Sequence, residues 1–391
     1  MHLTPRVLLE TVTTLGTLAS LGFYTLSACA LASFLKERRR KSEPVALPVH
    51  YLPPVSILKP LKGIDPAIWE SFCSHCEQDY PEFQLIFGVS DPEDPAIELV
   101  RRLKEKYPNR QIELVVCDRI LGTNIKVSNL AQMLPAARYG VLLVNDSDIR
   151  VARDYLRRVI APLSDASVGL VTCLYRGVAS RTLGSRLEAL GVSTDFAVGV
   201  LSAKLLEKGL RFGLGSTLAF RRSDLREIGG FEAILDYLAD DYELGRRIAA
   251  LGKEVELSEV VVDTFLPQYS LRQFLSHQIR WARTARDARP SGYVGVLLTH
   301  GVPWALAMLL VAHGVRWAWT LFALTLTVRL AVGLVSSLAV LGDTQVLRNI
   351  FLLPLRDLIA PFVWAASFVG NRISWRGDVF YLKDGRLARV S

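Results

Sequence analysis

The stretch LLVNDSDIRV, Leu142 to Val151, runs an apolar segment straight into two carboxylates spaced by one residue, Asp146 and Asp148, followed by Arg150. Two acids at the tip of a buried strand repel one another and lose solvation, so the pattern calls for a compensating partner. In an extended chain residues i and i+2 project to the same side, which lets both carboxylates converge on one point. A hard divalent cation, Mg2+ or Mn2+, meets that need, because it takes oxygen ligands and leaves positions open for phosphate oxygens. The expected partner is therefore a diphosphate. Arg150 is expected to cap the turn, with neutralisation of the two acids as the alternative.

Four similar β-branched runs share the region: VSILKPL (55–61), FQLIFGVS (83–90), QIELVVC (111–117) and VGLVTCL (168–174). Helix-length segments such as DPAIELVRRLKEKY (94–107) and KVSNLAQMLPAARY (126–139) separate them. That alternation predicts a mostly parallel sheet with helices on both faces. Ligands of such sheets bind beyond the carboxyl ends of the strands. Three runs end in acids on that rim: Asp91, Asp118, and Asp146 with Asp148. Each alone reads as a helix cap or a turn residue; together they read as a site. The chain has neither a G-x-x-x-x-G-K-[ST] loop nor a G-x-G-x-x-G after a strand, which disfavours NTPases and dinucleotide enzymes. Metal-assisted cleavage or transfer at a nucleotide diphosphate remains.

Composition adds a membrane. The 391 residues are 50% hydrophobic and 21% charged, with a mean hydropathy of +0.27: too apolar for an ordinary soluble domain, too charged for a pure membrane bundle. Val7 to Leu35 carries a single charge, Glu10, and KERRRK (36–41) follows it. This reads as a spanning helix with its C-terminal end in the cytoplasm. A cleaved signal peptide would carry its positive charge before the apolar core. The net charge of +8 sits at membrane-flanking positions without a nucleic-acid module, so an anionic leaflet is the expected partner and nucleic acid is not. Five scattered cysteines give no disulfide framework and fit a reducing compartment. Cys73 and Cys76 have half-site spacing without a second pair.

Beyond the sheet, LEALGVSTDFAVGVLSAKLLEKG (187–209) is an amphipathic region suited equally to the membrane surface or to covering the sheet, and DYLADDYELGRRIAALGK (236–253) reads as a helix. Val294–Val311 and Trp317–Leu341 read as two spans. A third apolar stretch, Phe351–Gly370, holds Pro354, Pro361 and the Arg356–Asp357 pair. A third full crossing would place the basic tail outside, against the positive-inside rule, so this stretch is expected to be re-entrant or interfacial.

The series GVSDPEDPA (88–96), NDSDIRV (145–151), YLADDYELG (237–245) and HQIRW (277–281), in that order and at those intervals, resembles the family 2 and family 21 glycosyltransferases. It is most similar to the ceramide glucosyltransferase group and the bacterial hopanoid-biosynthesis enzymes, over nearly the whole chain. The resemblance implies an α/β, GT-A-type (nucleotide-diphospho-sugar transferase) domain with N- and C-terminal transmembrane helices. It places Asp91 near the uracil and ribose of a UDP-sugar. Asp146 and Asp148 fall at the ribose, metal and diphosphate, with Mg2+ or Mn2+ as cofactor, and Asn124 and Lys126 of GTNIKVSNL near the donor. Asp241 falls at the general base, and His277, Gln278, Arg280 and Trp281 on the acceptor and diphosphate side. The family usually carries Gln or Arg where this chain has His277. FGLGSTLAFRR (212–222) is similar to the strand before the base, and ISWR (373–376) to the tail of ceramide glucosyltransferases.

The implied reaction is a single inverting displacement. Asp241 takes the proton of a lipid hydroxyl while the metal and Arg280 stabilise the departing diphosphate. The helix start beneath Asp241 is expected to favour its ionised form, giving a ready but weak base. N-acetylglucosamine transfer to a hopanoid is the first expectation and glucosylation of ceramide the alternative. A polysaccharide synthase would need a larger membrane part, and intact acids at every position disfavour a non-catalytic lipid binder. The expected setting is a bacterial inner membrane. The expected division is an anchor (1–41), linker (42–53), cytoplasmic catalytic domain (54–268), interfacial segment (269–292), membrane segments (293–370) and cytoplasmic tail (371–391).

Overall fold

The apolar runs do pair into one sheet. In the computed structural model, which describes residues 5–42, 51–375 and 378–389, the strands are β1 (Val55–Leu61), β2 (Phe83–Val89), β3 (Gln111–Val116), β4 (Val141–Val144), β5 (Ile149–Arg150), β6 (Val168–Val178), β7 (Leu218–Arg221) and β8 (Glu254–Phe265). Their order is β3-β2-β1-β4-β7-β6-β8-β5. The half carrying the rim acids, β3-β2-β1-β4, is parallel throughout, with Leu61 opposite Val89, Val89 opposite Val116 and Leu58 opposite Val144. Asp91, Asp118 and Asp146 thus follow strands that end on the same edge. β7 runs antiparallel to β4 and β6, β6 and β8 are parallel, and β5 closes antiparallel on β8. The sheet is mixed but mostly parallel.

Both faces are covered, as period-2 alternation along buried strands requires. Leu85, Phe87 and Val89 point into a core shared with Phe72 of helix Ile68–Cys76, Val100 and Leu103 of helix Ala96–Lys106, and Leu156 of helix Tyr155–Ile160. On the opposite face Gly88 leaves room for Met133 of helix Ile125–Met133, whose side chain occupies the space a Cβ would fill. Cys73 and Cys76 lie on a buried helix among these side chains.

The chain forms two compact units. The sheet unit comprises Lys41–Val178, Glu207–Pro267 and Trp375–Ser391; the other comprises Met1–Arg40, Ala179–Leu206 and Gln268–Ser374. Most of the expected linker, and Arg376, lie outside the described residues. Among the described residues four helices, all in the second unit, are long and apolar enough to cross a membrane: Pro5–Arg40, Leu183–Leu206, Arg316–Val340 and Val346–Ser367. The stretch expected as a straight span at 294–311 is instead two pieces, Pro290–Thr299 and Gly301–Val311, bent by 53° at His300. Leu183–Leu206 contains a π-helical turn at Val192–Phe196 and belongs to this unit. The last described strands are β9 (Arg372–Trp375), β10 (Asp378–Lys383) and β11 (Arg386–Arg389).

Helix Asp240–Ala250 packs so closely on the chain at Phe212–Gly213 that only glycine fits at position 245, where a Cβ would lie 2.5 Å from Phe212 C and collide with Gly213 N. Gly245→Ala is expected to cost about 1–3 kcal/mol, since the helix must lift off a backbone that cannot yield. A lowered thermal midpoint of the detergent-purified chain is the check.

Candidate functional site

At the rim of the sheet unit one ammonium faces a group of carboxylates. Asn124 caps helix Ile125–Met133, its side chain accepting from Val127 N–H at 3.2 Å, and so sets Lys126 on the first turn. Lys126 Nζ lies 2.9 Å from Asp146 Oδ1 and 3.0 Å from Asp240 Oδ2. Burial disfavours its charge, but Asp146, Asp240 and Asp241 outweigh that and hold its pKa above the usual lysine value. Asp241 Oδ2 accepts the Gly215 N–H at 2.7 Å, and Oδ1 accepts the N–H of Tyr242 at 2.8 Å. A Cβ on Gly215 would stand 3.2 Å from both Asp146 Oδ2 and Asp241 Oδ2. The two carboxylates therefore converge on Gly215, where any side chain would crowd both.

The electrostatics of Asp241 differ from the sequence expectation. Burial and the neighbouring Asp240 push its pKa up to about 6, against the lowering by Lys126 and the Tyr242 N–H. Desolvation outweighs the helix start. A carboxylate at that value is still ionised at neutral pH and a better proton acceptor than a solvated aspartate.

Asp148 lies behind Asp146. Its Oδ2 accepts from the Thr264 hydroxyl, and burial together with Asp146 raises its pKa to about 6. Lys59, fully buried on β1, donates to Asp146 O at 2.9 Å, and burial lowers its pKa to about 7. Asn145 Nδ2 donates to Tyr155 Oη at 2.9 Å and to Ser216 O at 2.6 Å, fixing the base of the turn. Its Oδ1 is 3.2 Å from Nε2 of His75, a ring that burial keeps neutral with a pKa of about 3.

Arg150 corrects its expected role. It neither caps the turn nor is set against the acid pair; Nη2 lies 2.7 Å from Asp263 on β8, and the guanidinium sits 4.8 Å from the Phe265 ring centroid. Arg176 binds the other oxygen of Asp263 at 2.5 Å. A strand pairing of β5 with β8, invisible locally, brings Asp263 to Arg150. Asp91 stands exposed at the end of β2, its Oδ1 accepting Glu93 N–H at 2.9 Å.

A divalent ion fits these residues in one manner. Among the described residues no three His, Cys, Asp or Glu side chains form a metal cage. Asp146 and Asp148 supply only hard oxygen donors, and Asp148 is raised partly by Asp146, a repulsion that a cation relieves. Such a pair suits Mg2+ or Mn2+ held jointly with substrate phosphate oxygens.

The HQIRW residues lie in the other unit. Helix Leu271–Ala288 opens with a capping box between Ser270 and Gln273. His277 Nδ1 is 3.0 Å from Glu188 Oε1, and Gln278 Nε2 donates to Glu188 Oε2 at 2.7 Å. Glu188 is 1% exposed, so the carboxylate serves two donors in a buried setting. The His277 ring stacks on Tyr269, with centroids 5.5 Å apart, and lies 5.0 Å from Trp281. Trp281 also meets Phe196 of the π-helical turn at 6.1 Å. Arg280 is half-buried on the same helix. Nearby in this unit Arg329 takes both oxygens of Asp357 at 2.8 and 2.9 Å and reaches Asp195 at 2.5 Å.

Residues 12–388 match the glycosyl transferase family 21 domain. The chain belongs to this family. It is 26% identical to ceramide glucosyltransferase 3 of Caenorhabditis elegans over 349 residues, which span 85% of this chain and 74% of that protein. Ceramide glucosyltransferase 1 of the same organism is 25% identical over 87% of this chain and 74% of its own length. The ceramide glucosyltransferase of Komagataella phaffii (strain GS115 / ATCC 20864) is 32% identical over 38% of this chain and 30% of that protein. Among solved structures, mannosyltransferase PcManGT from Pyrobaculum calidifontis in complex with GDP-Man and Mn2+ aligns with a TM-score of 0.48 and 22% identity, covering 90% of this chain and 99% of that one.

In this family 21 glycosyltransferase the structure gathers Lys126, Asp146, Asp148 and Asp241 on one rim. Sequence reasoning missed Asp240 as the second partner of Lys126, along with Gly215, Thr264, Lys59 and Glu188. Two carried a visible signal: Lys59 is a lone charge within an apolar strand, and Glu188 an acid within an apolar helix. If Asp241 works as a base, its charged form is lost as pH falls through about 6, so kcat/KM is expected to drop tenfold per unit below that pH. A pH–rate profile measures it. Glu188→Ala leaves His277 and Gln278 without this acceptor; if these two residues serve the acceptor side, it is expected to raise the lipid KM more than the donor KM in steady-state assays.

Proposed function

We propose that this enzyme transfers glucose from UDP-glucose to a hydroxyl of a ceramide-like lipid at the cytoplasmic face of a bacterial inner membrane. The observation that carries the sugar-transfer chemistry is the convergence of Asp146 and Asp241 on Gly215, with Lys126 bound to Asp146 and Asp240. A hydroxyl beside Asp241 gives up its proton to the carboxylate. Its oxygen then bonds to the anomeric carbon as the bond from that carbon to the UDP oxygen breaks. One displacement inverts the centre, so an α-linked donor yields a β-glycoside.

Lys126 keeps Asp146 and Asp240 from repelling Asp241 out of position. Asp91 is assigned to the nucleoside, and His277, Gln278, Arg280 and Trp281 to the acceptor and diphosphate side. A divalent ion held by Asp146 and Asp148 would neutralise charge gathering on the diphosphate.

The acceptor choice shifts from the first expectation. The relatives aligning over most of this chain carry the name ceramide glucosyltransferase, which favours ceramide and glucose over hopanoid and N-acetylglucosamine.

Sheet membership supports the topology. β6 precedes the apolar helix Leu183–Leu206, while β7 and β8 follow it in the same sheet. A crossing there would put strands of one sheet on opposite sides of the bilayer, so this helix does not complete a crossing. By the same reasoning an even number of crossings separates Pro267 from Trp375, both residues of the sheet unit. Of the three apolar stretches between them, the one bent by 53° at His300 is best assigned as re-entrant. That leaves Arg316–Val340 and Val346–Ser367 as the spanning pair. The KERRRK flank puts the sheet unit in the cytoplasm.

The test supplies the detergent-purified chain with UDP-glucose or UDP-N-acetylglucosamine, each with ceramide or a polyhydroxylated hopanoid, and identifies products by mass spectrometry. Hexosylceramide is the expected product. N-acetylglucosaminyl hopanoid alone would overturn the acceptor assignment, and no product from any pair would overturn the enzymatic reading. Asp241→Asn is expected to reduce kcat by about 10²–10⁴.

A further inference from the structure

The end of the chain returns to the sheet unit and docks beside Asp240 and Asp241. Asp384 and Gly385, with φ of 52° and 74°, form the left-handed pair typical of an Asp-Gly hairpin turn. β10 and β11 pair antiparallel from Phe380 with Arg389 to Lys383 with Arg386. This hairpin binds the loop that leads into helix Asp240–Ala250. Leu238 N–H donates to Gly385 O at 3.1 Å, and Leu387 N–H donates to Asp236 O at 2.7 Å. Between these bonds the Tyr237 ring lies under two guanidinium groups, Arg386 at 5.1 Å and Arg247 at 5.7 Å from its centroid. Arg386 Nη2 also donates to Tyr237 Oη at 3.2 Å.

A second loop meets the same junction. Thr123 Oγ1 lies 2.8 Å from Asp236 Oδ1 and 3.0 Å from Leu387 O, and Thr123 N–H donates to Asp236 Oδ1 at 2.9 Å. Asn124 N–H donates to Leu235 O at 2.8 Å and its Nδ2 to Tyr237 O at 2.7 Å. Gly122 is pressed against Leu235, where a Cβ would lie 2.5 Å from the Leu235 Cβ. The two loops carry the partners of one ion pair: Lys126 follows Asn124 by two residues, Asp240 follows Leu238 by two, and their charges meet at 3.0 Å.

We propose that the C-terminal hairpin is a positioning element of the sugar-transfer site, pinning together the loop that leads to Lys126 and the loop that leads to Asp240 and Asp241. Hydrogen bonds from the main chain of Gly385 and Leu387 fix the height of the second loop, and Thr123 shares its hydroxyl between the two. The hairpin touches no reacting atom. It acts through the orientation of Asp241, and misplacement of about 1 Å costs on the order of 10²-fold in rate. The catalytic part rests on the sugar-transfer reading above; the mechanical part does not.

Two variants of the full-length chain separate the possibilities: Thr123→Val, which keeps the β-branched shape and removes the shared donor, and Arg386→Ala, which uncovers Tyr237. Hydrogen exchange is followed at the amides of residues 123–127, 235–241 and 379–389, with β1 and β2 as internal reference. The expected result is faster exchange in the first two segments together, β1 and β2 unchanged, with kcat lowered about tenfold or more and donor KM within about twofold. Arg386→Lys, which keeps a cation over Tyr237, is expected to recover most of the loss. Faster exchange confined to 379–389, or unchanged kcat in an otherwise active enzyme, would overturn the positioning role. Should the wild type transfer no sugar, coupled exchange of the two loops still decides the mechanical claim.

Discussion

Lys126 sits 2.9 Å from Asp146 and 3.0 Å from Asp240, and the acid-bearing rim of the sheet depends on that arrangement. Three segments distant in sequence, the turn after β4, the start of helix Ile125–Met133 and the start of helix Asp240–Ala250, each bring like or unlike charge to one place. Without the ammonium the carboxylates of Asp146, Asp240 and Asp241 would be crowded and partly desolvated, a state that buried charge does not sustain. With it, Asp241 can be held beside Asp146 over the bare Gly215 and remain a proton acceptor with a pKa near 6. Lys59, buried beside the same turn, adds a hydrogen bond to the Asp146 carbonyl.

Much of this was legible in sequence because the signals were local. The apolar runs at β1, β2, β3, β4 and β6 are too short and too β-branched to be helices, and the acids that follow them land on one rim because parallel strands share a direction. What escaped was non-local. β8, EVELSEVVVDTF, mixes acids into its apolar pattern, and β5 is two residues long. Arg150 therefore looked like a turn residue until β8 brought Asp263 to it. Asp241 looked like a carboxylate kept ionised at a helix start, yet burial, which a linear reading does not show, and the adjacent Asp240 move it the other way. The C-terminal hairpin is a different case: KDGR between alternating residues is a strong turn signal, and only its docking partner was beyond reach.

The second unit shows why membrane segments resist counting by hydropathy. Leu183–Leu206 is apolar enough to cross a bilayer, yet in sequence it falls between β6 and β7, two strands of one sheet. Its π-helical turn places Asp195 against Arg329, and Arg329 also binds Asp357. Charges in an apolar unit are costly unless paired, and here helices from three parts of the chain share the pairing. Glu188 on the same helix ties His277 and Gln278, so a histidine at this place keeps a buried acceptor in reach.

The most direct test of the central interaction is a melting-temperature comparison of three full-length variants in detergent: Lys126→Met, Asp240→Asn and the two combined. If Lys126 is the cation that makes the acid cluster tolerable, removing it alone leaves crowded carboxylates, and neutralising Asp240 in the same chain relieves them. The double variant is then expected to melt above Lys126→Met. A double variant that melts lower, by the sum of the two single losses, would contradict the dependence of the rim on this one ammonium.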